Sequence, residues 1–358
     1  MKDPRVVKLA EILTNHSINI KKGDLIEVNT AIGAQPLALE IMKNILKKGA
    51  YPKMNVGLPG AHYTYFKYAN DEQLNHFPEL AKIEAEKFDG SIGIGAPVNT
   101  KELSNIDPAK IATRRKVTKE ISDIHLKKDN WVIFQYPTQA MAQDADMSLE
   151  EFEDFVFDAC LDDWDAMGKK QTKLKKMFDD GNEVRIVGKD TDLTFSIKSR
   201  ECMKCFGTRN MPDGEVFLAP VEDTTEGYIS YSYPTIMGGR EIDGIKLWFE
   251  KGKVVKATAT KNEEFLLKML ETDKGAKYIG EFGIGMNYKI TKFVKQILFD
   301  EKIGGTIHLA LGMAYKEGGG KNESALHWDM IKDLRDGGKI ILDGKVVQEN
   351  GKFTFKLE

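Results

Sequence analysis

Residues 24–50 read DLIEVNTAIGAQPLALEIMKNILKKGA, and their pattern sets the architecture expected of the first half of the chain. DLIEVNT (24–30) is a short run of strand-forming residues. QPLALEIMKNILKKGA (35–50) changes period, because Leu37, Ile41 and Ile45 recur every four residues and line up on one helix face. Gly49 suits the turn that follows a helix end. Outward from this unit, PKMNVGL (52–58), GSIGIGA (90–96) and WVIFQYPT (131–138) supply three more strand candidates. Strands separated by helices predict a mainly parallel sheet. We therefore expect an α/β N-terminal scaffold domain over residues 1–185.

The second half reads differently. A helical stretch (148–180) carries Phe152, Phe155, Val156 and Cys160 on one side. NEVRIVGKDTDLTFSIKS (182–199) then predicts a hairpin around GKDTD. Short glycine-bounded strands follow in GEVFLAP (214–220), GIKLWFEKGKVVKATAT (244–260) and GKIILDGKVVQENGKFTF (338–355). Two helices interrupt them, one at 262–273 and one at roughly 290–298. Residues 186–358 are thus expected to form an α+β domain with a largely antiparallel sheet, and it is this domain that carries the metal-capable segments described below.

Composition narrows the partners. A formal charge of −3 gives no global attraction to nucleic acid. The basic run KKQTKLKKM (169–177) lies beside acidic residues and reads as a solvated helix face. No run of 18 apolar residues occurs, so no membrane span is expected. The charged N-terminus lacks the apolar stretch of a signal peptide, which predicts a cytoplasmic protein. Three cysteines fit a reducing compartment. Cys202 and Cys205 form a C-x-x-C, but no second ligand pair follows within twenty residues, so a structural role is expected.

Four segments place metal-capable side chains beside glycine turns: PDGEVFLAPVEDT (212–224), GEFGIGMN (280–287), DEKIGGTIHLALGMAY (300–315) and ALHWDM (325–330). Glu215, Glu281, His308, His327 and Asp329 offer oxygen and nitrogen ligands suited to a divalent cation. On a strand, residues two apart share a face, so His327 and Asp329 can serve one site while Trp328 points away. Three carboxylates and two imidazoles exceed the needs of one tetrahedral ion and suit two ions sharing a carboxylate. The glycines of GEFGIG and GSIGIGA do not follow the order of a dinucleotide-binding turn.

In that order, EVFLAP, GEFGIGMN, HLALG with its following AY, and HWD closely resemble the thermophilic metalloaminopeptidases of the aminopeptidase T and S type. The likeness is strongest over roughly 205–340. It implies a cocatalytic pair of divalent ions (zinc, cobalt or manganese) acting on peptides with a free N-terminus, in a homodimer. It implies metal ligation by Glu215, by Glu281 as the bridge, and by His308, His327 and Asp329. It also implies catalytic roles for Glu281 and Tyr315. Glu301 is the nearest match to an acidic residue that the family places before the histidine, at a longer spacing here. Glu222 and Asp223 are alternatives to Glu215. Tyr315 stands seven residues beyond His308, an odd spacing that reaches the same site only if the chain turns at Gly312. Two rival readings stay open: a non-catalytic α/β module binding a nucleotide or other ligand, and a metal-dependent amidohydrolase acting on another amide.

Overall fold

The computed structural model describes residues 3–357, and its contacts divide the chain into two compact units. The first comprises Met1–Asp162 with Gly207–Pro212, the second Asp163–Phe206 with Asp213–Glu358.

A five-stranded, wholly parallel sheet organises the first unit, in the order Tyr51–Gly57, Leu25–Ala31, Gly90–Gly95, Trp131–Gln135, Asn210–Met211. Ile26 and Val28 are fully buried in the Leu25–Ala31 strand, as are Leu37, Ile41 and Ile45 of the helix Gln35–Lys47. Pro36 sits in the first turn of that helix, where its missing N–H costs nothing. Gly49, at φ +75°, turns the chain into the next strand. The GSIGIGA glycines lie in the Gly90–Gly95 strand rather than in a phosphate loop.

Two large antiparallel sheets and a two-stranded one, Thr235–Met237 with Arg240–Ile242, build the second unit. An eight-stranded sheet contains the expected hairpin, Glu183–Gly188 with Thr191–Ser196. A five-stranded sheet runs His327–Asp333, Thr306–Gly312, Ile279–Gly285, Glu215–Leu218, Met203–Cys205. Directly opposed residues share a face in an antiparallel pair. One face of this sheet therefore carries Phe282, Ile284, Val216, Leu309 and Trp328, all buried. Phe282 meets Phe195 edge-on at 5.1 Å and lies 6.2 Å from Phe178. The other face carries the polar residues described below.

One expected helix is corrected. Of residues 290–298 only the short turn Ile297–Asp300 is helical. Ile290 and Val294 are buried four apart, as on a helix, but by an irregular segment. The Asp300 carboxylate takes the Val294 N–H at 2.7 Å, and Lys295 adopts φ +58°. A tertiary hydrogen bond thus replaces the helical one.

Phe282→Ala removes the ring at the centre of the apolar face. It should cost about 3–5 kcal/mol, read as a shift in the denaturant midpoint of the chelated protein.

Candidate metal centre

Strand register gathers the site. Across the sheet, Cys205 opposes Glu215, Glu215 opposes Gly285, Gly283 opposes His308, Glu281 opposes Ala310, Ala310 opposes Asp329, and Gly312 opposes His327. All of these lie on the face opposite Phe282. A β-bulge at Gly280, between Ile279 and Glu281, sets Glu281 onto this face. The glycines make room: a Cβ on Gly283 would lie 2.0 Å from His308 Cε1. GEFGIG is therefore a strand that admits a neighbour's imidazole, not a turn.

His308 Nε2 lies 3.4 Å from Glu215 Oε2 and 3.4 Å from Glu281 Oε1. His327 Nε2 lies 3.5 Å from Glu281 Oε2 and 3.5 Å from Asp329 Oδ2. Glu281 thus turns one oxygen to each imidazole. His308 Nδ1 donates to the Glu301 carbonyl at 3.1 Å, and His327 Nδ1 to the Met313 carbonyl at 2.9 Å. Carbonyls only accept, so each neutral ring keeps its Nε2 lone pair free, the nitrogen a cation would use. Glu215 Oε2 is buried and receives no hydrogen bond. Oxygen and imidazole donors, pre-oriented and with one orphaned oxygen, fit divalent cations.

The structure brings all five expected side chains together, and Tyr315 with them. Gly312 has φ +98°, and beyond it the Tyr315 ring lies 5.3 Å from that of His327. Glu222 is engaged elsewhere, with Arg200 and the Lys321 N–H. Sequence reading missed Lys302, which is wholly buried, ion-paired to Glu301 and 3.6 Å from Glu215 Oε1. A lysine in a polar turn reads as solvated, so only its adjacency to Glu301 hinted at this. The face is closed around His308 and opens at His327, whose side chain is 21% exposed. There a cavity of about 300 Å³ adjoins His327 and Asp329, walled by Thr235, Met237, Phe293 and Ile297.

Electrostatics follow from burying so many carboxylates. Burial pushes Glu215 up to about 8 against the pull of Lys302, and Asp329 up to about 6 against His327. Burial acts to lower His308, but Glu281 and Glu215 outweigh it and raise the ring to about 10. Burial would raise Glu301 too, yet Lys302 and His308 hold it below the usual carboxylate range. Tyr315 as a whole is 41% exposed, but desolvation of its hydroxyl end and the Glu281 and Asp329 carboxylates raise it, so the hydroxyl keeps its proton.

A sheet face lined with carboxylates and imidazoles around a buried carboxylate shared between two rings is the kind of site that metal-dependent enzymes use. The chain belongs to the thermophilic metalloprotease (M29) family, whose model matches residues 2–353. It is 28% identical over 409 aligned positions to aminopeptidase 2 of Geobacillus stearothermophilus, covering 98% of each protein. Among solved structures it is similar to wild-type AmpT from Thermus thermophilus, with a TM-score of 0.87 at 23% identity over 98% of this chain and 99% of that one. A 2,5-dihydroxypyridine dioxygenase from Pseudomonas putida KT2440 shares the fold at a TM-score of 0.66 and 14% identity, covering 98% of this chain and 97% of that one. Likeness at those identities concerns the fold alone.

The raised groups give a pH dependence with a definite sign. Glu215 protonates below about 8 and His308 below about 10, so a cation must displace their protons. Metal binding should release protons and weaken as pH falls from about 8 to about 6. Because both folded values lie above the unfolded ones, the chelated protein should lose stability as pH rises through them. The stabilisation given by added metal should therefore grow over the same rise, measured as the Tm difference with and without cation.

Proposed function

We propose that this chain is an aminopeptidase that removes the N-terminal residue of peptides with two divalent cations, zinc, cobalt or manganese. The observation that carries the reading is Glu281, whose two oxygens each face a different imidazole. Charge supports a pair of ions. Five carboxylates (Asp213, Glu215, Glu281, Glu301, Asp329) against the one ammonium of Lys302 leave four negative charges when the imidazoles are neutral. Two divalent cations cancel them.

Glu215 and His308 would hold one ion, His327 and Asp329 the other, with Glu281 common to both. Bound there, the ions would polarise the scissile carbonyl and lower the pKa of an attacking water from about 15.7 toward 7. Both Glu281 oxygens face imidazoles, so its part in catalysis would be to hold the ions. Proton transfer falls to Glu301, an unprotonated carboxylate facing the same histidines, which can take a proton and return it to the leaving amine. The Tyr315 hydroxyl donates to the developing oxyanion. The cavity beside His327 takes the side chain of the first residue, and its Ile236, Met237, Phe293 and Ile297 walls support a preference for leucine-like substrates. We assign catalysis to the second unit and a scaffold role to the first, in a cytoplasmic homodimer on the family resemblance.

Exhaustive chelation should abolish leucyl-peptide hydrolysis and added cation should restore it, while Glu281→Gln should keep the fold and lose most activity. Acetylating the peptide's α-amine should block cleavage. Full activity after chelation, checked by elemental analysis, defeats the metal mechanism. Equal turnover of acetylated peptide moves the chain to the amidase class.

Tyr315→Phe deletes only a hydroxyl. If that group donates to the oxyanion, kcat and kcat/KM should fall together, by about 10²–10³ in kcat. A fully metallated variant whose kcat stays within about threefold, well short of that range, makes Tyr315 structural.

A further inference from the structure

The polar face holds a second group of possible ligands, which shares only Glu215 with the set used above. Cys205 opposes Glu215 across the sheet, and Cys205, Asp213 and Glu215 bring ligand atoms within 4.8 Å of one another. Glu281, His308 and Asp329 are grouped to the same closeness. A thiol and two carboxylates are a donor set that zinc or cobalt accepts as readily as the imidazole set. Glu215 belongs to both neighbourhoods, so the face as built invites a cation on either side of it.

Lys302 distinguishes the two sides. Its side chain is wholly buried, its ammonium lies 3.6 Å from Glu215 Oε1 and pairs with Glu301, and it also acts electrostatically on Asp213. Its backbone is fixed under the central strand. The Lys302 carbonyl accepts from Asn287 N at 3.1 Å, and a Cβ on Gly285 would come within 3.0 Å of the Lys302 carbonyl carbon. A fixed cation among these carboxylates repels another one.

Resting on the metal reading above, we propose that Lys302 is a positioning residue. Its ammonium takes the place of a cation among Cys205, Asp213 and Glu215, and so confines divalent ions to the side bearing His308, His327 and Asp329. It leaves Glu215 Oε2 turned toward His308 for that purpose.

The test is a cobalt(II) titration of the chelated full-length protein. Bound metal is counted by elemental analysis, and thiolate ligation is read from the sulfur-to-cobalt charge-transfer band in the near ultraviolet. The wild type should bind cobalt without that band. Lys302→Met, which keeps the stem and removes the charge, should take up one further equivalent and gain the band. Adding Cys205→Ser to it should remove the band again. A folded Lys302→Met that binds cobalt as the wild type does, with no thiolate band, overturns the proposal. Should that variant not fold, the wild type and the charge-preserving Lys302→Arg decide: a thiolate band in either overturns the proposal, and its absence from both supports it. A wild type that binds no cobalt overturns the metal centre itself, and this proposal with it.

Discussion

Carboxylates held together away from water repel one another, and the second unit is organised around containing that repulsion. Glu215, Glu281, Glu301 and Asp329 converge with, among the described residues, only Lys302 as a permanent countercharge. Removing charges from water costs several kcal/mol each even after relaxation. Such a cluster persists only on a rigid support and with counterions to complete it. The support is a sheet in which two of the three inner strands, Ile279–Gly285 and Thr306–Gly312, are buried along their whole length. The imidazoles are oriented by main-chain carbonyls, and the cost of the unpaired Glu215 oxygen would be recovered by a cation bound there.

What could be read in the sequence follows from which forces are local. The Leu25–Ala31 strand and the Gln35–Lys47 helix bury their own periodic residues, so their pattern survives into the structure. His327 and Asp329 share a face because strand geometry requires it, with Trp328 turned to the other side, where its Nε1 donates to Thr235. The four ligand-bearing segments stood out as residues, but only the register of the sheet places them side by side. The Pro108–Lys127 helix buries no residue and so leaves no apolar stripe to read. The 290–298 segment misled in the opposite direction, since the apolar spacing of Ile290 and Val294 is satisfied by a loop pinned to Asp300. Lys302 was illegible because nothing local tells a buried ammonium from a solvated one.

The glycines illustrate the same division. In GEFGIG they looked like an imperfect nucleotide turn, and Gly283 instead clears space for an imidazole from the neighbouring strand. Gly312 does what its φ of +98° permits, ending one strand so that Tyr315 can come back beside His327. A glycine's meaning depends on what approaches it, and that partner lies far along the chain.

The alternation of the central sheet has a further consequence for how such a protein can diversify. Phe282 and Glu281 are adjacent in sequence, yet one is bound into the aromatic core and the other into the polar site. Folding and chemistry are thereby written on alternate letters of the same strands. Substitutions at Glu281, Gly283 and Gly285 could alter what the polar face holds, while Ile279, Phe282 and Ile284 go on supplying the core. A lineage could thus exchange one reaction for another without renegotiating its architecture, and a metalloprotease and a dioxygenase could share one scaffold.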